Sequence, residues 1–152
     1  RGKMLSPFLK KLIFVRQFFI MDGKIEILGE KQIMLPFDAV SHLQNDKTFE
    51  IMNQEMKRVM DYYAKKMGAN PGGMIKTVQD IYETMGLGKM QIIKLDNAKK
   101  EIVIRLMNAG AINPTLVSGV LCGLFSFVFN KDLTEKNIGT KKSAGYIDIS
   151  IK

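Results

Sequence analysis

Apolar and polar residues follow two different periods along this chain, and the first of them is the period of two that β-strands show. A mostly apolar run reaches Asp22-Gly23, a dipeptide that suits the positive φ angles of a tight hairpin turn. Alternating residues follow it, and Gly29 opens a second turn signal. We therefore predict three strands, over 13–21, 24–28 and 32–35, with turns at 22–23 and 29–31.

The middle of the chain changes to the helical period. Pro36 suits the first turn of a short helix that we predict over 36–43. Thr48 is a candidate N-cap for a long helix that ends near Gly68, because its apolar residues recur three and four positions apart. A third helix is predicted to start at Asn70-Pro71 and to end at Gly86 or Gly88.

Strand patterns return in the last third of the chain. A second hairpin is predicted from strands 90–95 and 101–107 around the polar connector 96–100. Residues 108–113 then turn into a further helix, and two short strands are predicted at 133–137 and 146–151.

The most informative segment is this further helix, predicted over residues 114–129. It is apolar on nearly every side, as is typical of a helix in the middle of a core. Ser118, Cys122 and Ser126 lie four apart, and Gly119 and Gly123 run beside them. Each glycine costs about 1 kcal/mol of helix stability relative to alanine, so either another backbone or a bound molecule must approach this side.

These elements predict an α+β fold in a single domain over residues 1–152. We expect an antiparallel or mixed sheet from the N- and C-terminal hairpins with helices packed across it, and residues 1–12 as flexible chain or a short helix. The single cysteine excludes an intramolecular disulfide, so a reducing cytoplasm is expected. The longest apolar runs fall short of the roughly 20 residues of a transmembrane helix, so we predict no membrane span.

The net charge of +8 raises the question of anionic partners. Basic pairs are scattered over separate elements and no aromatic residues interleave with them, which favours a solvated surface and makes nucleic acid unlikely. Peripheral membrane contact stays open. Its best candidates are Lys10, Lys11 and Arg16 near the N-terminus.

Candidate reaction chemistry is sparse. His42 and Cys122 are the only histidine and cysteine, so no zinc-type spacing exists, and no nucleophile elbow or phosphate loop is present. Cys122 has no cationic neighbour in the sequence that would lower its pKa, which favours an inert buried thiol over a site of acyl attachment. We predict no catalytic residue, cofactor or metal, and enzyme activity stays open.

Methionine is the unusual residue type, with 11 in the chain. Thioether side chains adapt to irregular apolar shapes, so methionines on the two middle helices beside the small-residue stripe indicate the lining of an apolar cavity. Simple core filling is the alternative. Tyr63 or Tyr82 would supply an oriented hydrogen bond. The predicted lining residues are Met56, Met60, Tyr63, Met74, Val78, Ile81, Tyr82, Gly119, Cys122, Gly123 and Ser126.

Residues 113–151 resemble the C-terminal half of the 4-vinyl reductase domain family. The resemblance lies in the small-residue helix LVSGVLCGLFSFVF, the following NKDLTEK, and the glycine turn with its final strand, GYIDISI. It implies an α+β domain that binds small hydrophobic molecules, often as a dimer, with a fold similar to TRAPP vesicle-tethering subunits. The family occurs alone in archaea and as the sensory module of aromatic-responsive bacterial regulators. Many members carry cysteines in the final strand-turn-strand; residues 137–148 have none, so no metal site is carried over.

Three functions therefore stand as hypotheses. The first is a stand-alone sensor or carrier, homodimeric, that binds a hydrocarbon, lipid or aromatic molecule in an internal apolar cavity. The second is a protein–protein interaction subunit without ligand, in which the glycine stripe serves helix packing alone. The third is a reductase-associated protein that acts on a vinyl-bearing substrate.

Overall fold

The computed structural model describes residues 4–107 and 114–152, which form five α-helices and two antiparallel sheets. The predicted α+β class is confirmed. The predicted turn at 108–113 lies outside the described residues. The helices are α1 (Pro7–Phe14), α2 (Phe37–Ser41), α3 (Thr48–Met67), α4 (Met74–Thr84) and α5 (Pro114–Phe129). The strands are β1 (Phe18–Met21), β2 (Lys24–Ile27), β3 (Glu30–Gln32), β4 (Lys89–Asp96), β5 (Glu101–Met107), β6 (Ile138–Ser143) and β7 (Tyr146–Ile151).

The strands of the two chain ends do not join. The N-terminal sheet has the order β1-β2-β3 and the C-terminal sheet the order β4-β5-β7-β6. The expected single sheet built from both hairpins is therefore replaced by two sheets, each paired within itself. The buried face of the C-terminal sheet, which includes Ile104 and Ile149, shares one core with α5.

The first predicted strand, 13–21, is wrong in its first half, because α1 continues to Phe14. The Ser6 hydroxyl accepts a hydrogen bond from the Leu9 amide, and Pro7 occupies the first helical turn, so the start of the helix is capped. Its end is closed by Gln17 N–H, which donates to Leu12 O at 2.7 Å. Arg16 adopts the left-handed conformation (φ 60°) of such a helix end. These local bonds outweigh the strand preference of the apolar run.

The hairpin turns follow the predicted chemistry with one shift. Asp22 and Gly23 have φ 53° and 73°, which confirms the first turn. The second turn is Leu28–Gly29, with φ 50° and 77°, and not 29–31. Glu30 consequently pairs with Ile27, and β3 begins there.

The predicted strand at 133–137 is also wrong. Leu133 is buried, residues Glu135–Asn137 form a 3-10 helix, and the strand β6 begins at Ile138. The Asn137 side chain accepts from the Thr134 amide at 2.8 Å, which closes this turn. The remaining predictions for the helices, the central hairpin and β7 are confirmed within a few residues.

Candidate functional site

An apolar cavity of about 390 Å³ lies between the N-terminal sheet and helices α1, α3 and α4. All but two of its lining side chains are hydrocarbon, thioether or aromatic, and Gln32 and Thr84 are the polar ones. The lining consists of Phe8, Leu9, Phe18, Ile20, Ile25, Ile27, Leu28, Gln32, Ile33, Met34, Met56, Val59, Ile81, Thr84 and Met85.

The sheet side of the cavity follows from strand alternation. Phe18 pairs with Ile27 and Ile20 with Ile25, so these four side chains project from one face of the sheet. The helical side follows from the helical period. Met56 and Val59 are three apart on α3, and their side chains therefore share a face.

Three contacts hold the N-terminal sheet against α3. Gly29 packs on the ring of Tyr62, and a Cβ at Gly29 would lie 2.7 Å from a ring carbon. The Tyr62 hydroxyl donates to Gln17 Oε1 at 3.1 Å, and Arg58 forms an ion pair with Glu30 at 2.7 Å. The cavity wall is thus fastened to the helix on which part of its lining lies.

Leu28 combines burial with an unfavourable backbone. Its side chain lines the cavity at 2% exposure, yet its φ of 50° costs an ordinary residue roughly 1–2 kcal/mol. Its amide donates to Gln17 O at 2.8 Å, which holds this conformation. The backbone of Leu28 is therefore strained, and this conformation places its apolar side chain on the cavity wall.

The mouth of the cavity is apolar as well. Ile33 and Met34 are both 79% exposed and Ile20 is 60% exposed, although all three line the cavity. No charged side chain belongs to the lining. Such a site suits an uncharged, largely apolar molecule with few hydrogen-bonding groups.

Of the predicted lining residues, Met56 and Ile81 border this cavity. Gly119 and Gly123 do not, because the backbone of α3 lies against them. A Cβ at Gly119 would be 2.6 Å from Phe49 O, and one at Gly123 would be 2.5 Å from Asn53 O. The expectation that these glycines face a bound molecule is thereby corrected: a second helix backbone occupies the space.

The other predicted residues of the middle helices are core residues outside the cavity lining: Met60, Tyr63, Met74, Val78 and Tyr82. Tyr63 stacks on the cavity residue Phe8 at 6.2 Å between ring centroids, so it supports the wall from behind. The Tyr82 hydroxyl is buried with no hydrogen-bond partner in the described part of the chain, and burial raises its pKa.

The small polar residues of α5 are bound to the segment that follows the helix. Ser126 Oγ accepts from the Leu133 amide at 3.2 Å, and Cys122 Sγ lies 3.8 Å from Thr134 O. Burial raises the pKa of the Cys122 thiol to about 12, which keeps it protonated and unreactive. Cys122 is fully buried, which gives an acyl donor no access to it.

The described ranges contain neither a cluster of metal-ligand side chains nor a membrane-spanning helix. Within residues 4–107 and 114–152, no three His, Cys, Asp or Glu side chains meet as a metal-binding group, and His42 is exposed. None of the helices in those ranges is both long and apolar enough to cross a bilayer.

Sequence reasoning missed the contribution of α1 and the N-terminal strands to the cavity. The signals were present: Ser6-Pro7 starts a helix, and Phe18, Ile20, Ile25 and Ile27 alternate. The glycine and methionine patterns directed the prediction to the side of α3 that faces α5.

Solved structures of the same fold match this chain, and one of them is the sensory domain of a transcription activator. The crystal structure of the phenol-responsive sensory domain of the transcription activator PoxR with phenol superposes with a TM-score of 0.68. The match covers 96% of this chain and 90% of that one, at 12% sequence identity. No protein-family model matches the sequence, and no curated protein matches it.

Proposed function

We propose that this chain is a small-molecule-binding module that holds an uncharged aromatic or hydrocarbon molecule in the cavity between the N-terminal sheet, α3 and α4. The observation that carries the proposal is the apolar cavity of about 390 Å³, a volume within the usual range of ligand sites. We extend the proposal to a single domain over residues 1–152 that acts as a homodimeric sensor or carrier, as the resemblance to the 4-vinyl reductase domain family implies. The single cysteine supports a cytoplasmic location for it.

The fold similarity supports the same class of function. The PoxR sensory domain was crystallised with phenol, a molecule with one ring and one hydroxyl. In this chain, Thr84 and Gln32 are the lining residues that offer polar atoms to such a hydroxyl. The rest of the lining offers apolar contact.

The expected affinity is modest. A ligand that buries about 200 Å² of apolar surface gains roughly 5 kcal/mol before the entropic cost of association. The exposed apolar rim at Ile33 and Met34 adds to this gain where the ligand covers it. A dissociation constant of millimolar order or weaker follows for a phenol-sized molecule, with tighter binding for larger ones.

The test uses two neighbouring residues of β1 that are both 60% exposed but point to opposite faces of the sheet. Ile20 lines the cavity, whereas Met21 does not. Ile20→Trp places an indole at the mouth, and Met21→Trp is the matched control. Binding is measured by calorimetry with phenol and by fluorescence with the neutral probe N-phenyl-1-naphthylamine.

The proposal expects saturable binding to the wild type and to Met21→Trp, and at least tenfold weaker binding to Ile20→Trp, with unchanged melting temperatures. Equal binding to all three proteins would place the probe elsewhere. No binding to the wild type by either probe would favour the interaction subunit, in which the packed glycines of α5 have no relation to a ligand.

A further inference from the structure

The outer surface of α1 and β1 carries a second apolar feature, which shares Phe18 with the cavity. Ile13, Arg16, Phe18, Phe19 and Met21 line an open groove of about 280 Å³. The side chain of Phe14, at the end of α1, is 88% exposed. An open apolar groove beside an exposed aromatic side chain is typical of a place of interaction.

Positive charge lies along the same N-terminal segment as these apolar side chains. Residues 4–21 contain Lys10, Lys11 and Arg16 and no acidic residue. Leu12 is buried on the inner side of α1, and the helical period places Lys10, Lys11 and Phe14 on the outer side. In the described part of the chain, no carboxylate lies within ion-pair distance of any of the three cations.

The acidic groups nearest in register do not cancel this charge. Glu26 stands opposite Phe19 on β2, but Lys31 on β3 pairs with Glu26 in turn. Asp22 stands at the hairpin turn beside Met21, and Lys24 pairs with Met21. The surface therefore remains basic as well as apolar.

We propose that this N-terminal surface, defined by Lys10, Lys11, Ile13, Phe14, Arg16, Phe19 and Met21, docks on an anionic lipid bilayer. Phe14 and Met21 enter the interface between headgroups and acyl chains, and the cations contact lipid phosphates and carboxylates. A second copy of this chain is the poorer occupant, because it brings the same positive charge to the contact.

The backbone conformation of Arg16 provides a variant that tests the proposal. A left-handed residue at a helix end is usually glycine, and arginine is strained there. Arg16→Gly therefore removes the cation while it retains the turn, which makes it a useful variant.

The experiment measures co-sedimentation of the full chain with vesicles of phosphatidylcholine mixed with phosphatidylserine, and with vesicles of phosphatidylcholine alone. Each cation near an anionic surface strengthens binding about fivefold, so Lys10→Gln/Lys11→Gln is expected to weaken it about 25-fold and Arg16→Gly about fivefold. The matched control is Lys141→Gln/Lys142→Gln on β6, which removes two exposed lysines from the other sheet.

The proposal expects binding to the mixed vesicles alone, loss of binding at high salt, and no effect of the control variant. Phe14→Ser is expected to weaken binding while the melting temperature stays the same. Absence of binding, equal binding to both vesicles, or equal loss in the control would overturn the proposal. A dimer in solution that Phe14→Ser dissociates would also overturn it and would assign the surface to a second copy. None of these results depends on the cavity probes, so the two proposals fail independently.

Discussion

Helix α3 packs in two contrasting ways on its two sides, and Met56 takes part in both. Towards α5, small residues let two backbones approach until a Cβ at Gly123 would lie 2.5 Å from Asn53 O and from the Met56 Cβ. Towards the N-terminal sheet, the Met56 side chain borders a cavity of about 390 Å³. Small residues on a helix therefore mark close packing here, and space remains where bulky side chains hold a sheet away from the helix.

The largest loss of stability is expected from disturbing the close contact between α3 and α5. Gly123→Ala forces a methyl group against the α3 backbone, and we expect a loss of about 3 kcal/mol, at the upper end for overpacking, despite the better helix propensity of alanine. Urea unfolding measures the loss. Gly73→Ala is the control, because the nearest atom to its Cβ is 3.9 Å away. Equal stability of the two variants would contradict the close packing of α5.

The second-largest loss of stability is expected from disturbing the contact between the N-terminal sheet, which forms one wall of the cavity, and α3. Gly29→Ala meets both a φ of 77° and the Tyr62 ring, and we expect a loss of about 2 kcal/mol. Gly23→Ala has a similar φ of 73° but nothing within 4 Å, so the difference between the variants isolates the ring contact. Hydrogen exchange should accelerate in β1–β3 and stay unchanged in β5 and β7. Uniform acceleration would mean that the two regions do not open separately.

A smaller change in stability, a gain, is expected when a ligand fills the cavity. N-phenyl-1-naphthylamine at ten times its dissociation constant is expected to stabilise the protein by about 1.4 kcal/mol. Thermal unfolding gives this value, and hydrogen exchange should slow in β1–β3 alone. Protection centred on α5 instead would locate the ligand on the wrong side of α3.

The smallest expected change in stability comes from an ion pair on the outer face of the C-terminal sheet. Arg105 forms a bidentate pair with Asp148, and its guanidinium lies 4.0 Å from the Tyr146 ring centroid. The hydrogen bond from Arg105 lowers the pKa of Asp148 in the folded protein. Its stabilising contribution is therefore complete above the unfolded pKa and is lost as the pH falls through the folded pKa.

Comparison of Asp148→Asn with the wild type tests this pair. We expect the variant to lose less stability than the wild type when urea unfolding is repeated at decreasing pH across the carboxylate range. Identical pH profiles would show that the pair is too well solvated to matter.

The success of prediction differed between local and distant interactions. The Asp22-Gly23 turn, the helix from Thr48 and the strand Tyr146–Ile151 were predicted, because turn chemistry and periodicity are local. A short helix was one of the two expectations for residues 1–12, but its end at Phe14 was predicted as strand. The strand expected at 133–137 failed because the Asn137 side chain closes a turn there.

The candidate site was predicted in kind more than in place. Methionines on the middle helices beside the small-residue stripe indicated an apolar cavity, and two of the predicted lining residues, Met56 and Ile81, border the cavity of the structure. The other half of its wall is the N-terminal sheet. The sequence pattern does not predict which side of helix α3 is covered by a sheet from a distant part of the chain.

By itself, the sequence determined the period of most elements, the Asp22-Gly23 turn and the buried character of α5, because these depend on neighbouring residues and on composition. Only the tertiary structure decided what lies against Gly119 and Gly123, and where space remains. Both outcomes depend on contacts between residues far apart in the chain. The glycine pattern indicates that another group approaches α5 closely. Which group that is depends on the tertiary packing of the protein.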